Sequence, residues 1–173
     1  MQILSRFKSV TTFILDMDGV LTDGSILVDE SGNWLRRMSL RDGYALQLAV
    51  KAGFNVIVIS GSSSPQVANR LNKLGVQNVF MAVTDKENTL KELAISRQIP
   101  LTEILYMGDD IPDYSCMKIV GLPACPADAA IEIKEAAAYI SPFKGGHGCV
   151  RDVIEKVMKL HNKWTLETTT PST

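Results

Sequence analysis

The sequence predicts an α/β fold, a doubly wound parallel sheet with helices on both faces. Three observations carry that expectation. Short, nearly continuous apolar runs alternate with helix-patterned stretches along most of the chain, as doubly buried strands and their crossovers require. Proline, glycine and small polar residues punctuate the boundaries. The 173 residues, 46% hydrophobic and 21% charged, have the length and composition of one globular domain.

The elements follow in order. Strands are expected over 12–15, 55–59, 78–81, 104–107 and 122–125, each a short apolar run such as Val56-Ile57-Val58-Ile59. Helical patterns occupy 43–52, 65–74, 86–98 and 112–119, and two more, about 128–137 and 149–160, close the chain. Pro65 and Pro112 suit a first helical turn. Thr84 and Glu87 have capping-box spacing, and Gly53, Gly75 and Gly121 suit helix C-termini.

One segment breaks the alternation. Ser25-Ile26-Leu27-Val28 and Trp34-Leu35-Arg36-Arg37 flank Asp29-Glu30-Ser31-Gly32-Asn33, which reads as a hairpin leaving the end of the first strand. Ligands of open α/β sheets bind beyond the carboxyl ends of the strands. The hairpin, about residues 25–37, is therefore a candidate flap. A single domain over 1–163 and a flexible tail over 164–173 complete the expected organisation.

Composition excludes several functions. Lys+Arg 18 against Asp+Glu 19 gives a formal charge of -1, without the basic surface that nucleic acid or an anionic membrane demands. No apolar run is long enough to span a bilayer, and MQILSRFKSV lacks the apolar stretch of a signal peptide. Cys116, Cys125 and Cys149 share no CxxC spacing, which suits a reduced, cytoplasmic protein.

Chemistry concentrates in the carboxylates. Asp16, Asp18 and Asp23 follow the first strand; Asp109, Asp110 and Asp113 follow the one ending at Met107. Residues i and i+2 of an extended chain face one side, so Asp16 and Asp18 can point at one spot. Two carboxylates 4 Å apart repel by roughly 4 kcal/mol at an effective dielectric near 20. With Asp109 added, the group needs a cation. Oxygen-only ligands suit a hard ion, Mg²⁺ above all, which completes its shell with water and substrate phosphate.

The string Asp16-Met17-Asp18-Gly19-Val20-Leu21-Thr22-Asp23-Gly24 resembles motif I of the haloacid dehalogenase superfamily of phosphotransferases. Ser60-Gly61, Lys86 opening a helix, and Gly108-Asp109-Asp110-Ile111-Pro112-Asp113 resemble motifs II, III and IV, in the expected order. The hairpin, Arg41-Asp42-Gly43 and Gly145-Gly146-His147-Gly148-Cys149-Val150-Arg151-Asp152 are similar to the capless subclass of sugar-acid phosphatases. Too few residues separate motif I from the helix at Gly43, or Ser60 from Lys86, to hold a cap domain.

That resemblance implies roles. Asp16 would be the nucleophile that forms an aspartyl-phosphate, and Asp18 the general acid/base. Asp18 must then hold a proton, so its pKa is expected to be raised through apolar shielding by the flap. Asp16, Asp109 and the backbone carbonyl of Asp18 would hold Mg²⁺. Ser60 and Lys86 would bind the transferring phosphoryl oxygens. Asp110 and Asp113 would orient metal waters or Lys86, Asp113 having also the option of stabilising its helix start. Substrate contacts are implied at Asp18, Lys86, Gly61, Arg70 and the segment Ser39, Leu40, Arg41, Asp42 and Gly43.

The implied substrate is an eight-carbon sugar-acid ester, 3-deoxy-D-manno-octulosonate 8-phosphate, of lipopolysaccharide biosynthesis. Gln47 and Ser62 stand where the subclass often carries arginine, and Asp152 where it carries glutamate. Nine-carbon nonulosonate 9-phosphates, for which Lys73 would offer a polar contact, are the alternative. A third reading is a non-catalytic oligomerising module, which loss of Asp16 or Asp18 would signal; both are present. The subclass assembles as tetramers, and Ile26, Val28, Trp34 and Leu35 on a projecting flap call for such burial. A homotetramer is expected.

Overall fold

A computed structural model describes residues 2–165. Its sheet has six strands, all parallel: β1 (Thr12–Leu15), β4 (Asn55–Ile59), β5 (Asn78–Phe80), β6 (Ile104–Met107), β7 (Leu122–Cys125) and β8 (Tyr139–Ile140), in the order β5-β4-β1-β6-β7-β8. The flap strands β2 (Leu27–Val28) and β3 (Trp34–Leu35) form a separate antiparallel pair. The helices are α1 (Gln2–Ser9), α2 (Leu40–Lys51), α3 (Pro65–Lys73), α4 (Lys86–Ser96), α5 (Tyr114–Ile119), α6 (Ile131–Ala136) and α7 (Cys149–Leu160). No cap domain is present among the described residues.

Period-two alternation sorts the strand side chains onto two cores. Phe13, Leu15, Val56, Val58, Leu105 and Met107 face one side, beneath α1, α2, α3 and α7. Ile14, Ile57, Ile59, Ile104 and Tyr106 face the other, beneath α4, α5 and α6. Both faces are covered, which is why the strands read as unbroken apolar runs.

Several boundaries differ from expectation. Helix α2 begins earlier, because Ser39 Oγ accepts the Asp42 N–H (3.3 Å) and draws Leu40, Arg41 and Asp42 into the first turn. The N-cap of α4 is Asp85, whose carboxylate accepts the Asn88 N–H (2.9 Å), in place of the expected Thr84 capping box. Pro112 sits in a one-turn 3₁₀ segment, Ile111–Asp113, that leads into α5. Gly53 (φ 85) and Gly75 (φ 89) end helices in the left-handed region as expected. Gly121 has a different reason: an added Cβ would lie 2.1 Å from the Thr102 carbonyl oxygen. Helix α1 and strand β8 carry no strong apolar run and were not foreseen.

The flap arms are two residues each rather than four. Asp29 organises the tip, its carboxylate accepting the N–H groups of Ser31 (2.9 Å) and Asn33 (2.8 Å). The tail from 166 lies outside the described residues. Trp164 is packed against the body of the protein, with the Arg151 guanidinium 5.4 Å from its ring centroid, so the domain extends past 163.

Candidate active site

Register places the chemistry. Leu15 lies opposite both Val58 and Met107, so the residues that follow β1, β4 and β6 emerge together at the carboxyl edge of the sheet. There Asp16, Asp18, Gly24, Ser60, Gly61, Ser62, Lys86 and Asp109 line a cleft of about 310 Å³, with Asp110, Pro112 and Asp113.

After β1 the chain makes one wide turn. The Thr22 N–H reaches the Met17 carbonyl (3.0 Å), and Gly19 adopts φ 84. A Cβ on Gly19 would fall 2.0 Å from Asp109 Oδ2, so glycine is what lets the second carboxylate come close. From the far side the C-terminal glycine loop presses on this turn. The Gly146 N–H donates to the Val20 carbonyl (2.9 Å), and a Cβ on Gly145 would sit 1.9 Å from the Gly19 oxygen.

Lys86, in the first turn of α4, is the hub. Its ammonium donates to Asp16 Oδ1 (2.8 Å) and Asp113 Oδ1 (2.7 Å), all three side chains buried. Burial lowers the Lys86 pKa, but the charges of Asp113 and Asp16 outweigh it and hold the ammonium protonated. Asp113 is fully engaged: Oδ1 also accepts from the Tyr106 hydroxyl (2.6 Å) and Oδ2 from the Asp109 N–H (3.1 Å).

The donor set fits a hard divalent cation. Asp16, Asp109 and Asp113 offer carboxylate oxygens within 4.8 Å of one another. Burial and the Asp113 charge push Asp16 up to about 6, against the opposing pull of Lys86. Burial and the charges of Asp16 and Asp113 push Asp109 up to about 8. With Asp113 committed to Lys86, Tyr106 and the backbone, Asp16 and Asp109 are the pair left to hold such an ion.

Asp18 departs from expectation. Burial pushes its carboxyl up, but bonds from Arg36, Ser62 and Thr22 outweigh that and hold it below the usual carboxylate range. The Arg36 Nε donates to Oδ1 (2.7 Å) and its Nη2 to Oδ2 (3.3 Å). The flap therefore brings Asp18 a cation, where apolar shielding was expected.

The remaining candidates divide. Ser60 Oγ faces the cleft and accepts the Ser62 N–H (3.1 Å). Asp110 is exposed and accepts the Ile111 N–H (2.8 Å), capping the 3₁₀ turn. Asp42 does not line the carboxylate cleft. Its buried carboxylate accepts the N–H groups of Gly148 (3.0 Å) and Arg151 (2.7 Å) and so caps α7 from α2. Gly43 is buried and packs toward Arg70, whose Nη2 lies 3.3 Å from an added Cβ. Leu40 is exposed. Within one chain neither expected arginine lines the carboxylate cleft: Arg70 lines a groove against the flap, and Arg41 one beside α7. Sequence reasoning missed Arg36 and Tyr106. Arg36 read as a hairpin residue, and Tyr106 as one more apolar strand position.

Parallel strands ending in these carboxylates, with a hydroxyl after β4 and a lysine opening α4, define a haloacid dehalogenase-like hydrolase, and the chain belongs to that family. The family model matches residues 79–153. The 3-deoxy-D-manno-octulosonate 8-phosphate phosphatase of Yersinia pestis is 30% identical over 161 residues, which span 93% of this chain and 86% of that protein. The crystal structure of the Yersinia pestis enzyme matches with a TM-score of 0.91 over 94% of this chain and 88% of that one, at 30% identity. The Moraxella catarrhalis enzyme, in complex with magnesium, phosphate and the sugar acid, gives 0.90 at 30% identity over 93% and 92%. A cobalt-bound form from Haemophilus influenzae gives 0.86 at 28% identity over 91% and 92%.

Proposed function

We propose that this protein is a Mg²⁺-dependent phosphatase that hydrolyses 3-deoxy-D-manno-octulosonate 8-phosphate through an aspartyl-phosphate on Asp16. Its family and its relatives make it a phosphoric monoester hydrolase; the sugar acid and the covalent route are our reading. The observation that carries it is the Lys86 ammonium held between Asp16 and Asp113 in a cleft that also presents Asp109. The names of the relatives support the substrate.

Lys86 fixes one Asp16 oxygen, and the other attacks phosphorus. The Asp16 O–P bond forms as the bond from phosphorus to the sugar oxygen breaks, and Asp18, which must first leave Arg36 and take up a proton, gives that oxygen the proton. Water then attacks phosphorus and passes a proton to Asp18, and the Asp16 O–P bond breaks to release phosphate. Ser60 and Lys86 hold the phosphoryl oxygens through both steps. Mg²⁺, on Asp16, Asp109 and the Asp18 carbonyl, would supply charge neutralisation and alignment. Asp113 and Tyr106 orient Lys86. Arg70 and the Gly61 backbone are among the leaving-group contacts this chain offers.

Two further readings belong with this one. Leu27 and Trp34 are 66% and 62% exposed on the flap, which supports burial against other copies in a homotetramer. No helix among the described residues is long and apolar enough to cross a membrane, and the three cysteines are buried and unpaired, which supports a cytoplasmic location.

The test is phosphate release from the eight-carbon ester, a nine-carbon 9-phosphate and p-nitrophenyl phosphate, with and without EDTA. The eight-carbon ester should have the highest kcat/KM, and EDTA should abolish turnover. A faster nine-carbon ester assigns the nonulosonate substrate. No release, with Asp16→Asn indistinguishable from the unaltered protein, returns the oligomerising module.

A further inference from the structure

Beside the carboxylate cleft lies a second cavity, about 590 Å³, between the flap and α3. Trp34 and Arg36 form one wall; Ser63, Gln66 and Arg70 form the other. Arg36 belongs to both spaces. It lines this groove, and its guanidinium is bonded to Asp18 in the cleft. Its side chain is only 4% exposed, on a hairpin whose apolar residues stand in solvent. Arginine is among the residues least often buried without a specific partner.

The groove suits a sugar that carries an acid. Arg36 and Arg70 bring two guanidinium groups, forks that match a carboxylate. The acid on the wall, Asp29, is occupied by Ser31 and Asn33. Trp34 offers an apolar face for a ring, and Ser63 and Gln66 offer hydroxyl partners. A neutral sugar leaves the Arg36–Asp18 pair intact, because it brings no charge to compete. An anionic one brings a rival carboxylate to the same fork.

We propose that Arg36 is a specificity-determining residue: it exchanges Asp18 for the carboxylate of the leaving group in this groove, so that Asp18 turns to the scissile oxygen only when an anionic sugar is bound. This rests on the phosphatase reading above and adds to it the step that reads the leaving group's charge. The exchange forms and breaks only ion pairs, and the carboxylate released from Arg36 is then free to take from solvent the proton it gives the sugar oxygen.

The experiment compares kcat/KM for 3-deoxy-D-manno-octulosonate 8-phosphate with that for a neutral sugar phosphate, mannose 6-phosphate, in the unaltered protein and in Arg36→Gln. The ratio should fall about 10- to 100-fold, the worth of one charge-assisted contact. Calorimetry should show the free sugar acid binding weaker by a similar factor. Arg36→Lys, which keeps the charge without the fork, should fall between and serves if Arg36→Gln does not fold. An unchanged ratio overturns the proposal, since a residue that merely props the flap or Asp18 slows both esters alike. An unaltered protein that releases no phosphate from any ester overturns the phosphatase reading first. Activity with an unmoved ratio overturns Arg36 alone.

Discussion

At Lys86 one ammonium faces two carboxylates, and Asp109 adds a third beside them, so the buried site carries more negative than positive charge. Protons make up the difference. Asp109 titrates near 8 in the folded protein, against about 3.9 in an unfolded chain. An acid raised in this way favours the folded state while protonated. Its contribution is complete below about pH 4 and is lost as pH climbs through about 8. Mg²⁺ needs the ionised form, so its effect runs the other way. The rise in Tm on adding saturating Mg²⁺ should be larger at pH 8.5 than at pH 6, with proton release on binding that shrinks over the same interval; calorimetry in buffers of different ionisation enthalpy reads it. At Gly19 the constraint is space. Gly19→Ala puts a methyl group into the position of Asp109 Oδ2. Mg²⁺ affinity should drop about 10- to 100-fold, the usual cost of disturbing the shell around a metal ligand, measured as the shift in the Mg²⁺ dependence of Tm.

Among the elements, α2 and α7 are joined through Asp42, whose carboxylate satisfies two N–H groups at the start of α7. Asp42→Ala leaves both unpaired in a buried setting and should cost about 1–3 kcal/mol in urea unfolding, while KM should stay within a factor of about two, since Asp42 lies outside the cleft lining. The sequence could not show this, since Arg41-Asp42-Gly43 reads the same whether the carboxylate faces a ligand or a helix end. Strands β1, β4, β6 and β7 were legible because burial on both faces leaves no polar alternation to confuse them. Strand β8 was not, because Tyr139 and Ile140 alone make no periodic signal. Asp16, Asp109 and Lys86 were legible from their places at strand ends and a helix start. Arg36 was hidden because its partner Asp18 lies across the flap, and pairing between distant residues leaves no mark in spacing.

For the whole molecule, assembly turns on the flap. Leu27, Val28, Trp34 and Leu35 are exposed together, beyond what a solitary chain comfortably shows to water. Light scattering should give four times the 19.0 kDa chain mass, and Trp34→Glu with Leu27→Lys should shift that toward the single chain without unfolding it. A 19.0 kDa species of the unaltered protein at micromolar concentration would end the tetramer reading.

The press of Gly145 and Gly146 against the turn after β1 has a temporal consequence. The turn that carries Asp18 and Gly19 is made well before the backbone of Gly145 and Gly146 that braces it. A nascent polypeptide still lacking residues 145–148 has the carboxylates of the cleft but not the buttress that sets their positions. Competence should therefore arrive only once that glycine loop has been made and docked, whatever the sheet has already assembled.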